Sequence, residues 1–308
     1  MPHPRRFAAL LALSACWAAG AVRAQEIEPR SYSPAPTGVN FLVAVAGNSE
    51  GGVLTDPSLP VTNIEAEINA LALGYGRTYG LFGRSANFAV VLPYVRAHAT
   101  GDIGETRASA TREGFGDTRL RFGVNLIGGA AQTPREFAQN KPKTTLGFSL
   151  GVNLPTGQYY PDKLVNIGTH RWAVKPEFGL VHPLGKWYLE AYVGAWLFGD
   201  NDDFFGGRHR QQDPLGSMQA HVSYTFKPRM WAALDATYYE GGRTKVDGGI
   251  NRDRQENTRA GITFAMPVGQ KYSLKFTWSR GASTRIGSNF TTLGVGLQYT
   301  WMDRPPAR

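Results

Sequence analysis

Thr292-Leu293-Gly294-Val295-Gly296-Leu297-Gln298-Tyr299-Thr300-Trp301 is the stretch that decides the fold. Leu293, Val295, Leu297, Tyr299 and Trp301 alternate with Thr292, Gly294, Gly296, Gln298 and Thr300. An extended chain of this pattern has one apolar face and one small or polar face. Its length matches the roughly ten residues with which a tilted strand crosses a bilayer. The pattern recurs at Leu120, Phe122, Val124 and Leu126, and again at Leu146, Phe148, Leu150, Val152 and Leu154.

Twelve such runs follow one another, near 37–46, 63–79, 84–99, 115–127, 143–155, 170–181, 187–198, 215–226, 230–240, 257–266, 271–280 and 290–301. Closure of an up-and-down barrel with both ends on one side needs an even number, which ten or fourteen would also satisfy. The connections have a parity of their own. Short turns at 80–83, 182–186, 227–229 and 267–270 alternate with long polar segments at 47–62, 100–114, 156–169, 199–214 and 241–256. Short turns on one side and long loops on the other are the asymmetry of an outer-membrane barrel. A soluble β-sandwich shares the alternation but has no reason for the parity. One connection breaks the rule, at 128–142, and is read as holding a short helix around 134–139. Aromatic residues such as Tyr75, Tyr94, Trp172, Trp187, Trp231, Trp278 and Trp301 gather near run ends, where interface girdles form.

Residues 1–24 read as an export leader: Arg5 and Arg6, then the apolar stretch from Phe7 to Ala15, then Val22-Arg23-Ala24 before Gln25. Leu13-Ser14-Ala15-Cys16 offers a rival, a lipoprotein site at Cys16. Beyond the leader no run approaches the roughly 18 apolar residues of a helical span. Cleavage after Ala24 leaves no cysteine, hence no disulfide or thiolate chemistry. The net charge of +9 becomes +6 without Arg5, Arg6 and Arg23, and its dispersed signs exclude a nucleic-acid footprint. The expected plan is all-β, a transmembrane antiparallel up-and-down barrel of about twelve strands. Residues 25–36 form a short periplasmic segment, 37–301 the barrel and 302–308 a tail.

Within this pattern lie Leu92-Pro93-Tyr94, Gly114-Phe115-Gly116-Asp117, Leu154-Pro155-Thr156-Gly157 and Asn166-x-Gly168-Thr169-x-Arg171-Trp172. In this order they resemble a family of Gram-negative outer-membrane proteins assigned as transporters of the meta-pathway of phenol degradation. The resemblance covers about 39–301 and implies a barrel that moves small, often aromatic or hydrophobic, molecules. The same words also have a plain structural reading, as tight bends at strand ends.

Lumen candidates follow from the cost of pointing charge at lipid, about 2–4 kcal/mol for Arg or Lys near the midplane. They are Glu65, Glu67, Arg119, Arg121, Arg171, Lys175, Glu177, Glu190, Asp235, Arg259 and Lys275. Such charges either form a selectivity constriction or neutralise one another in a narrow interior. Asp117, Thr156, Trp172, Phe204 and Phe205 are read as pore-mouth residues. The loop Asp200-Asn201-Asp202-Asp203, with His209 and Asp213, has hard-cation ligands but no calcium-loop spacing. His221-Val222-Ser223 is similar to the pair of outer-membrane phospholipase, yet alternation turns it to the lumen, away from lipid.

The reading is therefore a channel for small solutes with no cofactor and no enzymatic chemistry. Its partners are outer-membrane lipid, a small-molecule solute and, during biogenesis, the barrel-assembly machinery. A non-transporting structural or adhesive barrel and a lipid-acting enzyme are the alternatives.

Overall fold

A computed structural model describes residues 27–53, 62–103, 106–163 and 165–303. The leader, its cleavage site and Cys16 lie outside the described residues, as do 304–308. The chain is almost wholly strand. In order these are β1 (Val39–Val53), β2 (Thr62–Leu81), β3 (Arg84–Ile103), β4 (Thr106–Phe115), β5 (Arg119–Ile127) and β6 (Thr145–Asn153). There follow β7 (Ala173–Leu184), β8 (Trp187–Phe198), β9 (Asn201–Phe204), β10 (Arg208–Gln212), β11 (Leu215–Lys227) and β12 (Met230–Gly241). The last are β13 (Thr244–Val246), β14 (Gly249–Ile250), β15 (Gln255–Val268), β16 (Tyr272–Thr284) and β17 (Ser288–Met302). A helix, α1 (Pro134–Gln139), fills the odd connection, started by a capping box between Thr133 and Glu136.

Each wall strand pairs antiparallel with its neighbours in sequence, and β17 returns to β1 from Val39↔Met302 to Val53↔Ser288. This closes a wall of twelve strands, with β4 and β5 together forming one interrupted member. Closure removes the edges that no bilayer could hydrate. Asp303 secures the seam, accepting from Asn40 (2.8 Å) and Arg77 (2.7 Å) beside the start of β1. At this end the turns are tight, and Phe82 and Gly83 both take positive φ (47° and 74°) between β2 and β3. At the other end the chain between β8 and β11, and between β12 and β15, folds into a separate sheet of β9, β10, β13 and β14.

Alternation sets the two faces. On β12, Trp231, Ala233, Asp235, Thr237 and Tyr239 are buried, while Leu234 between them is 64% exposed. Large apolar side chains such as Leu71, Leu73, Leu189, Val193, Ile262, Trp278 and Leu293 are exposed in the same way, and together they form the lipid belt.

The strands depart from the sequence reading in three respects. First, β1, β2 and β3 run past their expected ends, so most of 47–62 and 100–114 described here is strand rather than loop. Second, the run at 115–127 is broken, β4 ending at Phe115 and β5 starting at Arg119. Third, the segment read as periplasmic, 25–36, does not hang outside: its described part, from Ile27, lies within the barrel, with Arg30 and Tyr32 buried.

The belt is testable. Leu234→Arg is expected to cost about 2–4 kcal/mol in refolding titrations into lipid vesicles, whereas Glu67→Arg, beyond the belt, should cost about 0–1 kcal/mol. Equal costs would contradict the placement of the lipid face.

Candidate functional site

The interior is occupied. Residues 28–36 enter the barrel and are held by inward-facing side chains of β6, β7, β8, β11 and β12. The Arg30 guanidinium lies between the Tyr188 and Trp231 rings, 4.6 Å from each centroid. It donates to Ser223 Oγ (3.1 Å) and Thr225 Oγ1 (2.7 Å), and the Arg30 backbone N–H donates to Glu190 (2.8 Å). Tyr32 places its hydroxyl on Glu177 Oε1 (2.9 Å) and against Ser149 (2.7 Å). Burial pushes this phenol well above its ordinary pKa, so it donates as a neutral group. Its ring fits where two strands carry no side chain. A Cβ on Gly179 would lie 2.0 Å from the ring and one on Gly147 2.5 Å from it. Arg121 covers the ring from another side, 4.9 Å from its centroid. Towards the turn end, Thr78 Oγ1 donates to the Pro36 carbonyl (2.6 Å) and Ser85 Oγ to that of Ala35 (3.2 Å).

The inward-facing charged groups around this segment are held by polar partners. Lys175 and Glu177 pair at 2.7 Å with side chains 5% and 6% exposed, and Gln219 also donates to Glu177 (3.2 Å). His221 Nδ1 meets Asp235 at 2.7 Å, and Thr263 donates to the other oxygen of Asp235 (2.7 Å). Arg259 donates to Ser279 (2.9 Å) and Thr292 (2.8 Å). Such pairs hold because each ion keeps its partners, and removing one partner from a buried pair typically costs about 3–5 kcal/mol.

Of the lumen candidates, Arg121, Arg171, Lys175, Glu177, Glu190, Asp235 and Arg259 are buried on the inner face, and Arg119 and Lys275 share that face half-buried. Glu65 and Glu67 are a correction. They share the outward face of β2 with Leu71 and Leu73, which come after them in the strand, and Glu65 lies 3.8 Å from Arg107. The lipid penalty does not act there, because β2 rises beyond the apolar belt.

The second feature is a break in the wall. The lower half of β3 pairs with β5 and its upper half with β4. On the far side, β6 pairs with β5 and ends at Asn153. The second edge of β4 therefore has no strand beside it; among the described residues its one main-chain bond to the following loop is from Gln158 N–H to the Phe115 carbonyl (2.8 Å).

Asp117 holds this break. One carboxylate oxygen accepts from Gly157 N–H (2.9 Å), the other from Thr169 N–H (2.9 Å) and Thr169 Oγ1 (2.6 Å). Thr118 N–H donates to Thr156 Oγ1 (2.9 Å), and Leu154 N–H to the Thr118 carbonyl (2.9 Å). Gly157 and Gly168 cross with no room for a side chain: a Cβ on either would lie within 2.7 Å of the other's backbone. Three of the four sequence words thus meet at one carboxylate, and Pro93 of the fourth accepts from Gly116 N–H (2.9 Å).

The other mouth candidates sit apart from this knot. Trp172 is 55% exposed where β7 begins, and Arg171 stacks on Phe198 and bonds Gln212. Phe204 and Phe205 lie under Arg210 and Arg208 in the outer sheet. His209 joins Asp200 (3.3 Å) and Asp202 (2.7 Å) there, and among the described residues no group of three such ligands is placed to hold a metal ion. The lipase-like pair is committed elsewhere, Ser223 to Arg30 and His221 to Asp235.

Above the filled lumen the inner face of β2, β3 and the start of β17 carries an apolar patch. Ile68, Val95, Ala97 and Phe290 form a buried cluster there, joined by Ala66, Ala70 and Ile167. Ile167 comes from the loop after β6, so this lining reaches the break.

A model of the family described as "Putative MetA-pathway of phenol degradation" matches residues 45–301. Among solved structures, the chain is similar to the COG4313 outer membrane channel from Pseudomonas putida F1, with a TM-score of 0.77 and 23% identity over 90% of this chain and 100% of that one. It is also similar to the β domain of the Bordetella autotransporter BrkA, with a TM-score of 0.51 and 12% identity over 85% of this chain and 100% of that one. These likenesses show a shared outer-membrane barrel fold. No curated protein matches the chain.

Filling the Tyr32 cradle tests the plug. Gly179→Val is expected to displace the ring and raise single-channel ion conductance in planar bilayers several-fold. Conductance equal to that of the unaltered protein would show that residues 28–36 do not close the axis.

Proposed function

The chain belongs to this phenol-degradation family, and we propose that it is an outer-membrane channel taking up small hydrophobic or aromatic solutes through its wall rather than along its axis. The observation that carries the reading is the unpaired β4 edge beside an apolar inner lining. A polar solute gains nothing from that lining, while an apolar one leaves water on reaching it, at roughly 25 cal/mol per Å² buried. The axis below is closed by Arg30 and Tyr32, so the open edge is the low-resistance exit.

Transfer here is passive, with no bond made or broken. The barrel's inward charged groups serve to seat the plug rather than to select ions. Export would use the leader 1–24, and assembly would use the aromatic end of β17, Tyr299 and Trp301, as its signal to the barrel-assembly machinery. The lipid at the break is then both partner and destination.

The test narrows the lining. Ala97→Trp, with Ala70→Trp as a second variant, is expected to cut naphthalene uptake by expressing cells several-fold and leave ion conductance unchanged. Undiminished uptake in both folded variants would overturn the proposed path.

A further inference from the structure

Every connection at the short-turn end of the barrel carries an exposed cation. Arg84 follows the β2–β3 turn, and Lys143 closes the connection from β5 to β6. Lys186, Lys227 and Lys271 stand at the β7–β8, β11–β12 and β15–β16 turns. Among the described residues, the ion pair at this end is Arg77 with Asp303 (2.7 Å) at the seam, and none of the five cations meets a carboxylate. The other exposed carboxylate here, Glu136, is turned back on Thr133 in the capping box. The opposite rim differs. There Arg96 meets Glu113, Arg107 meets Asp102, Arg254 meets Glu240 and Arg285 meets Glu256, so its charges cancel in pairs.

The cations stand where the apolar belt ends. Phe82 lies beside Arg84, Trp187 beside Lys186, Phe226 beside Lys227 and Tyr272 beside Lys271, all of them exposed. The Lys271 ammonium lies 6.0 Å from the centroid of Tyr299, whose ring stacks on Trp301 (5.4 Å). Aromatic rings of this kind mark headgroup depth, and a lysine stem laid along one carries its charge out to the phosphates.

We propose that this ring of cations is a binding surface for phosphatidylglycerol in the periplasmic leaflet. Short turns mark the periplasmic side of an outer-membrane barrel, and the leaflet there is built of phospholipid. Lys and Arg at a membrane surface attract anionic headgroups within a Debye length. No carboxylate of the described chain neutralises these five, so the leaflet supplies the counter-charge. Phosphatidylethanolamine carries its own ammonium, which offsets the attraction of its phosphate and leaves it the weaker ligand. A folded acidic partner could meet only one arc of a ring that encircles the barrel, whereas the lipid annulus touches all of it. The surface is independent of the solute path, because none of its residues lines the lumen or the break at β4.

Native mass spectrometry of the full-length protein in detergent tests it, with dioleoyl phosphatidylglycerol and dioleoyl phosphatidylethanolamine as probes. The unaltered protein is expected to retain phosphatidylglycerol several-fold over phosphatidylethanolamine. Lys186→Gln, Lys227→Gln and Lys271→Gln combined should bring the two close to equal, with heat-modifiable migration on gels showing that the barrel is intact. Arg254→Gln with Arg285→Gln, at the opposite rim, should leave the preference as it was. Equal retention of the two lipids by the unaltered protein would overturn the proposal, as would a preference that survives the triple lysine variant or is erased by the arginine pair. Co-sedimentation with purified peptidoglycan that the triple variant loses, without any lipid preference, would overturn it in favour of a cell-wall contact.

Discussion

The Asp117 carboxylate and the three hydrogen bonds it accepts organise this barrel's departure from a plain cylinder. Hydrogen bonds to an ionised carboxylate contribute roughly 1.5–3 kcal/mol each, so a loop anchored this way competes with continued strand pairing. Gly157 and Thr169 could otherwise extend the ladder of β6 and β7 towards β4. Instead their N–H groups are spent on Asp117, β6 stops at Asn153, and the β4 edge is left bare. A bilayer does not tolerate an unpaired edge, and most of this one stands beyond the apolar belt, its foot at Phe115 meeting the belt beside Tyr94. The loop after β6 covers part of this one, and an apolar solute is the visitor for which the lining is suited.

The filled interior follows from barrel size. Twelve strands enclose more space than side chains of an eight-stranded wall can fill and less than a wide porin. Here Gly147, Gly179 and Ser149 withdraw from the wall, and residues 28–36 take the space. The inward charges then find partners within reach. What remains open is the upper, apolar part of the cavity, and among the described residues the breach beside it is at β4.

Much of this was legible in the sequence, and the failures have physical causes. Period-two alternation marked the wall strands, because lipid outside and polar groups inside impose opposite demands on alternate residues. The parity of short and long connections separated a membrane barrel from a sandwich. Glu65 and Glu67 were misplaced because the argument from lipid cost was applied to a strand that had already left the lipid. The plug was missed because Arg30 and Tyr32 lie in a segment without periodicity. The inward glycines at 147 and 179 were its one visible trace, since a missing side chain facing a lumen implies something packed against it. The four motif words were recognisable as words, but the convergence of three of them on one carboxylate depends on contacts 40 and 52 residues apart in the chain. No local pattern encodes that.

The central claim is that the break at β4 exists to pass solute and that Asp117 maintains it. Paired measurement of naphthalene uptake and ion conductance in Asp117→Ala tests it most directly. The account predicts uptake reduced several-fold with conductance unchanged, because the axis stays plugged while the wall loses its opening. Uptake at the level of the unaltered protein, in a variant that still folds as a barrel, would contradict it.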